Sequence, residues 1–423
     1  MRPEHASPLQ LAFARLRTRR AAVWAWRGVL LLFLLGVYAP FLISEQAYWW
    51  QDEDGWRLPL LTDLFNRWSY AKHHDLFFNV AALALPPLLL TAWTLRRWLS
   101  PARRRWLVVG GLLLAFVGCL LPLIPTKAGM QPLWRHRPAS LATMGDFRDR
   151  MQAIADWGID NPETPAPPAP RAVFPSIPHR FDATYAGAVL APPGTINHDT
   201  GARFWFGCDS AGRDVLARLL FGIRVSLTIG VIATGLSLLI GTIIGAISGF
   251  FGGVVDLLLQ RVVEIMMCFP TFILILVVVA MLGRDLFIIM MVIGLTGWAG
   301  TARLVRGEFL AQSVRDYVLA ARAAGVPSWR IMFRHILPNT LTPLLISATF
   351  GIAGAVGAEA GLSFLGLGDP EVATWGAILE QGRNNIEYGW LIWAPGLAVF
   401  AVVLALNVVG NALRESLDPK GTR

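Results

Sequence analysis

Asp316-Tyr317-Val318-Leu319-Ala320-Ala321-Arg322-Ala323-Ala324-Gly325-Val326-Pro327-Ser328-Trp329-Arg330-Ile331-Met332-Phe333-Arg334-His335-Ile336-Leu337-Pro338 is a polar, arginine-rich island between strongly apolar stretches. Ala320 and Ala321, a glycine four residues after the second, and Leu337-Pro338 a dozen residues later describe a compact helix-turn-helix. Small side chains permit close approach, and Gly325 permits a left-handed turn. The spacing predicts one short helix from about Arg315 to Ala324 and a second from Pro327 to about Ile336, with Pro327 suited to a first-turn position.

The stretches that flank the island are apolar, and so is the chain as a whole. Of 423 residues, 55% are hydrophobic and only 15% charged, with a mean hydropathy of +0.51. A chain this apolar is read for membrane spans of about 20 residues. A net charge of +9 could suggest nucleic acid. The arginines, however, gather beside apolar runs, and no basic face is interleaved with aromatics as single-strand binding needs. Cys119, Cys208 and Cys268 are far apart without a CxxC spacing, which argues against a disulfide framework or a zinc site.

Arginine placement predicts the topology. Arg15, Arg17, Arg19 and Arg20 precede the first apolar run, at about 21–44, and keep the N-terminus in the cytoplasm. Without a small-x-small cleavage site the run reads as a retained span rather than a signal peptide. Runs at about 76–95 and 106–124 flank Arg96, Arg97, Arg103, Arg104 and Arg105, which mark a cytoplasmic loop. Pro86-Pro87 predicts a kink in the first of these runs.

Residues 126–222 are polar and proline-rich, and alternation places them outside. Residues 160–170 read either as a flexible linker or as an ordered extended segment. Phe147, Met151, Ile154 and Trp157 recur at helical spacing, as in a small packed helix. Five further spans, at about 225–247, 258–282, 286–303, 340–360 and 390–411, complete an eight-span, all-α polytopic membrane protein with both termini inside. The domain reading is a basic N-terminus at 1–20, the first span plus an extra hairpin at 21–125, an external insertion at 126–222, a core at 223–411 and a cytoplasmic tail at 412–423.

No G-x-x-x-x-G-K-[ST] occurs, and the lysines are only Lys72, Lys127 and Lys420. The chain is therefore not its own P-loop ATPase. The island suits a mechanical joint for a separate one. Read from its residues alone, it suits an amphipathic loop helix lying on the membrane surface better than a docking joint.

Four motifs, in order, carry a family resemblance. The island resembles the EAA loop of ABC importer permeases. Gly207-Cys208-Asp209-Ser210-Ala211-Gly212-Arg213-Asp214 resembles the segment preceding the core helices of dipeptide and oligopeptide importer permeases. Gly297-Trp298-Ala299-Gly300-Thr301-Ala302-Arg303-Leu304-Val305-Arg306-Gly307 and Glu359-Ala360-Gly361-Leu362-Ser363-Phe364-Leu365-Gly366-Leu367-Gly368 resemble two more signatures of that family.

The resemblance implies the MetI-like helical core in the inner membrane of a bacterium. It also implies a second, different permease, two ABC ATPase subunits that bind the ATP and magnesium, and an external solute-binding protein. No cofactor or metal is implied on this chain. The implied coupling residues are Asp316, Ala320, Ala321, Arg322, Gly325, Arg330 and Pro338. Those of the motif before the core are Gly207, Asp209, Gly212, Arg213 and Asp214.

Two residues depart from the family pattern: Cys208 stands where a Thr is usual, and Leu319 where the EAA motif has its Glu. The long insertion before residue 207 resembles the Yej-type peptide and microcin C permeases, although the added spans exceed that pattern.

Intramembrane charges are expensive and often functional, which makes Glu264 and Glu359 candidates for the translocation path. Glu264 suits an ion pair with Arg261 better, and Glu359 suits a packing role equally. Gly230, Gly235, Gly241, Gly245 and Gly249 suit a helix-packing seam. The expected function is the permease subunit of an ATP-driven peptide importer. A permease for nickel or another small solute, a proton-coupled secondary carrier and a non-transporting scaffold or membrane-enzyme subunit stand as alternatives.

Overall fold

The computed structural model describes residues 20–53, 55–66, 69–70, 72–120, 124–126, 129–131, 142–160 and 167–417. The basic flank at Arg15, Arg17 and Arg19, the prolines at 162 and 165 and the tail beyond 417 lie outside them. Contacts divide the chain into two units, one from Met1–Leu32, Ser226–Asn384 and Ile392–Arg423, the other from Phe33–Val225 and Asn385–Leu391.

Long apolar helices dominate. Among the described residues, six are long and apolar enough to cross a membrane: Ala22–Leu42, His74–Arg97, Val215–Phe251, Leu286–Ser313, Ser328–Phe364 and Trp390–Ser416. They are built on α1 (Arg20–Leu42), α3 (His73–Thr94) with the turn Leu95–Arg97 after it, α6 (Val215–Phe251), α9 (Leu286–Ser313), α12 (Leu337–Phe364) with the helical residues before it from Ser328, and α14 (Trp390–Leu417). At 1.5 Å per residue, α6 is about 55 Å long and outruns a hydrocarbon core of about 30 Å.

Two of the eight expected spans differ from expectation. The run at 258–282 is not one helix. It is α7 (Gly253–Cys268) followed by α8 (Thr271–Leu282), bent by 80° at the break. Pro270 has no N–H and pushes the residue before it out of the helical region, and Phe269 indeed sits at φ −84°, ψ 132°. The run at 106–124 forms α4 (Pro101–Leu120). With Arg103, Arg104 and Arg105 among its first five residues, it falls short of the composition of a span within the described residues. Helix α3 continues through Pro86 and Pro87.

In the first unit, α6 carries a seam of glycines every fourth residue. A Cβ on Gly241 would lie 2.5 Å from Thr301 Cβ, one on Gly245 2.4 Å from Ala302 O, and one on Gly249 2.7 Å from Arg306 O. Only glycine lets α6 and α9 approach so closely, as in small-xxx-small packing within membranes. Gly235, expected in the same seam, faces open space. A short helix α13 (Trp375–Asn384) packs on the end of α12.

The second unit holds strands that the all-helical expectation lacked. β1 (Trp49–Asp52) pairs with β2 (Gly55–Arg57) and with β5 (Arg171–Val173), both antiparallel, and β3 (Ile124–Thr126) pairs with β4 (Gly129–Gln131). Leu58 leads into a short helix α2 (Pro59–Asp63), which has a proline in its first turn. In α5 (Met144–Asp160), Phe147 packs edge-on against Trp50 at 6.0 Å, whereas Met151 and Trp157 are exposed. The helical spacing of those four residues was therefore only partly a packing signal. Helices α3 and α4 pack as a hairpin, with Phe77 on Phe116 at 5.6 Å.

Candidate coupling surface

The island folds as helix, turn and helix. α10 (Asp316–Ala323) ends in a left-handed glycine, Gly325 at φ +73°. The Gly325 N–H donates to Arg322 O at 3.0 Å and the Val326 N–H to Ala321 O at 3.1 Å. These are the two bonds of a Schellman ending, which satisfy carbonyls that a helix end leaves open. Val326 and Ala321 pack beneath it against the same apolar cluster.

Pro327 caps α11 (Ser328–Arg330), and Ile331–Ile336 then form a π-helical turn that runs straight into α12. The second helix was expected to stop near Ile336 and does not. Pro338 has no N–H, and its ring would press on the carbonyl four residues back. A widened turn accommodates both, and the Asn339 side chain covers His335 O at 2.8 Å.

One face of this joint is buried. Val318, Ile331, Met332 and Ile336 pack with Ala246 of α6, Val305 and Phe309 of α9 and Leu344 of α12. Burial of such side chains contributes about 2 kcal/mol each, which makes the joint one body with the three helices. The other face is open. Asp316, Ala320, Arg322, Gly325, Arg330 and Pro338 are exposed, Ala321 is half-buried, and the apolar Tyr317, Leu319, Trp329 and Phe333 also face outward. Arg322 lies over the Phe250 ring at 5.0 Å, and Arg330 over Trp329 at 5.4 Å.

In the same unit, Asp256 and Glu264 of α7 and Arg303 and Arg306 of α9 line an open cleft of about 410 Å3. Arg306 grips Asp256 through two bonds of 2.6 Å. Ser248 of α6 donates to the same carboxylate and accepts from Gln260 at 3.0 Å. Glu264 pairs with Arg261 at 2.6 Å, both largely exposed. Glu359 is elsewhere. At 1% exposure it is buried on α12, where Oε1 accepts from Ser363 Oγ at 2.7 Å. The structure thus places Glu264 on a cleft and Glu359 in a packed interior.

In the second unit, the residues before α6 build a tight knot. Asp209 accepts from the Ala211 and Arg213 amides at 2.9 and 3.0 Å and from Arg213 Nε at 2.8 Å. Gly212, at φ +75°, lets the chain pass where a Cβ would lie 2.4 Å from Tyr185 O. Asp214 Oδ1 caps α6 through the Leu216 and Ala217 amides, while Oδ2 holds His179 Nδ1 at 2.7 Å. Gly207 leads in at φ +72°. Burial pushes the Cys208 thiol up, and the Asp214 and Asp209 carboxylates add to the shift.

Residues 241–423 match the family of binding-protein-dependent transport system inner membrane components. The dipeptide transport system permease DppC of Alkalihalophilus pseudofirmus is 38% identical over 221 residues, covering 52% of this chain and 73% of that protein. The chain belongs to this permease family. The oligopeptide permease OppC of Bacillus subtilis is 36% identical over 252 residues, 59% of this chain and 81% of its own. The peptidoglycan transport permease YejE of Agrobacterium fabrum is 40% identical over 223 residues, 52% of this chain and 58% of its own. With the family comes the MetI-like core in a multi-pass inner-membrane protein.

Two buried features of this permease were missed in the sequence. His179, stacked on Phe204 at 4.4 Å, also meets Thr200 Oγ1 at 3.1 Å. Nothing in the local sequence joins residues that far apart. Arg224 lies in α6 and donates to Gly36 O, Val37 O and Asn79 Oδ1 at 2.6 to 3.0 Å. A lone arginine inside an apolar run is a visible signal, and it was passed over.

Proposed function

We propose that this chain is the transmembrane permease subunit of an ATP-driven importer for peptides or peptide-like solutes, and that the joint at 315–338 is where a partner ATPase docks. The observation that carries this reading is the joint's two-faced build. Val318, Ile331 and Ile336 are buried among three core helices, while Leu319, Trp329 and Phe333 stand exposed on the opposite side. Movement imposed on the exposed face is passed to α9 and α12 as rigid bodies, and a differential preference of the ATPase for one arrangement drives the switch of access.

In this reading Asp316, Ala320, Arg322, Gly325 and Arg330 form the docking face, Ala321 and Pro338 shape its ends, and Leu319 replaces a carboxylate contact by an apolar one. Glu264 lines the path through the cleft, and Glu359 holds the end of α12. A second permease, two ATPases carrying ATP and magnesium, and an external solute-binding protein complete the assembly. The dipeptide and oligopeptide names of the relatives favour a peptide substrate.

The sheet supports the expected topology. β1 and β5 pair directly, so the loops that carry them lie on one side of the membrane and the chain between them crosses an even number of times. With α3 a span, α4 makes the return crossing, in keeping with eight spans and both termini inside.

Uptake of a labelled dipeptide and tripeptide into vesicles holding the assembled transporter tests the reading. It is expected with nucleotide and binding protein present and absent with a pH gradient alone. Uptake driven by the gradient without nucleotide would move the chain to the proton-coupled carriers.

A further inference from the structure

The connection between α3 and α4 carries five guanidinium groups and no carboxylate. Arg96 and Arg97 close the short turn after α3, and Arg103, Arg104 and Arg105 fall in the first five residues of α4. From residue 76 to residue 145 the sequence has no Asp or Glu. None of the five arginines makes an ion pair among the described residues. Topology alone asks for cations somewhere in such a loop. It does not ask for three on a helix N-terminus, where the partial positive charge of the helix opposes them. Arg104 Nε is, moreover, buried without a hydrogen-bond partner among the described residues.

The hairpin holds this charge in one place. A Cβ on Gly111 would lie 2.5 Å from Leu88 Cδ2, so the two helices are close-packed about halfway along α4. Three indoles surround the arginines. Trp98 is 84% and Trp106 75% exposed, and Trp93 lies beneath Arg96 at 5.0 Å. Leu89 and Leu90 of α3 and Leu113 and Leu114 of α4 continue the exposed apolar surface away from the charge. Cations, then interfacial indoles, then aliphatic side chains is the order of a lipid from phosphate to acyl chain. A free phosphate would use only the first layer.

We propose that the α3–α4 turn is a binding site for the headgroup of an anionic phospholipid. The residues involved are Arg96, Arg97, Arg103, Arg104 and Arg105, with Trp98 and Trp106 at the glycerol level. Bidentate guanidinium contacts to the phosphodiester supply the counter-charge that the protein lacks there.

Native mass spectrometry of the full chain, released from detergent with equimolar phosphatidylglycerol and phosphatidylcholine of matched acyl chains, tests this. Wild type is expected to retain phosphatidylglycerol several-fold over phosphatidylcholine. R103Q/R104Q/R105Q is expected to lower phosphatidylglycerol retention by about tenfold or more. R96Q/R97Q, which leaves three arginines to hold the topology, is expected to lower it by a smaller factor and so covers a failure of the triple variant to fold. Equal retention of the two lipids by wild type, or unchanged preference in R96Q/R97Q, would overturn the proposal. So would complete displacement of phosphatidylglycerol by inorganic phosphate at the same concentration, which would make the turn a site for free anions.

Discussion

Arg224 and Pro40 are explained by each other. Pro40 lies within α1 and has no N–H to give to Gly36 O, and Arg224 Nε fills that vacancy at 2.6 Å. Arg224→Met orphans buried acceptors on Gly36 and Asn79, a loss of about 2–4 kcal/mol. We expect a clearly lower melting temperature in detergent, partly recovered by adding Pro40→Ala, which restores the missing amide. Equal loss with and without that second change would break the link.

Asp63 offers a test against pH. It is buried, with Oδ1 accepting from Ser69 at 2.6 Å and Asn66 at 3.0 Å, and burial raises its pKa in spite of these bonds. A folded-state value above the unfolded one stabilises below about pH 4 and loses that contribution as pH rises through the folded value. Asp63→Asn is therefore expected to raise the melting temperature at pH 7–8, with the gain vanishing toward pH 4. A gain that grows on acidification would contradict the sign. At Cys208 the raised thiol and full burial predict no reaction with a maleimide until unfolding, while exposed Cys268 reacts in the folded protein.

At the scale of elements, Gly245 sets the distance between α6 and α9. Gly245→Leu places side-chain atoms where Ala302 O already lies within 2.4 Å of a Cβ. The expected result is faster proteolysis of the joint at 315–338, because its buried face packs on both helices. Gly325→Val meets open space but a forbidden backbone, and costs about 1–2 kcal/mol through the turn alone.

The sequence made α10 and its glycine turn legible, since the small residues and the glycine each have one physical reason to be there. It hid the π-turn, because Pro338 was read as a boundary when the protein widens the helix to pass it. The bend at Phe269-Pro270 was written in the sequence too, yet uninterrupted apolar residues on either side outweighed one proline. Strands of three and four residues carry no periodicity to read, and β1 and β5 pair across more than a hundred positions. Glu359 and Glu264 looked alike as charges in apolar runs, and only packing separates a closed carboxyl from one on a cleft.

For the whole molecule, the central claim is that the exposed face of the 315–338 joint docks an ATPase. Leu319 and Phe333 project outward from elements whose inner sides are fixed by Val318 and Ile331, so changing them alters the face and spares the fold. The decisive measurement is affinity purification of the tagged chain from native membrane with mass spectrometry of its partners, for wild type and for L319R/F333D. A P-loop ATPase and a second permease are expected with wild type, with the ATPase alone lost from the variant. Recovery of wild type without any ATPase, under conditions that preserve a known ABC complex, would contradict the account, as would undiminished ATPase recovery with the variant.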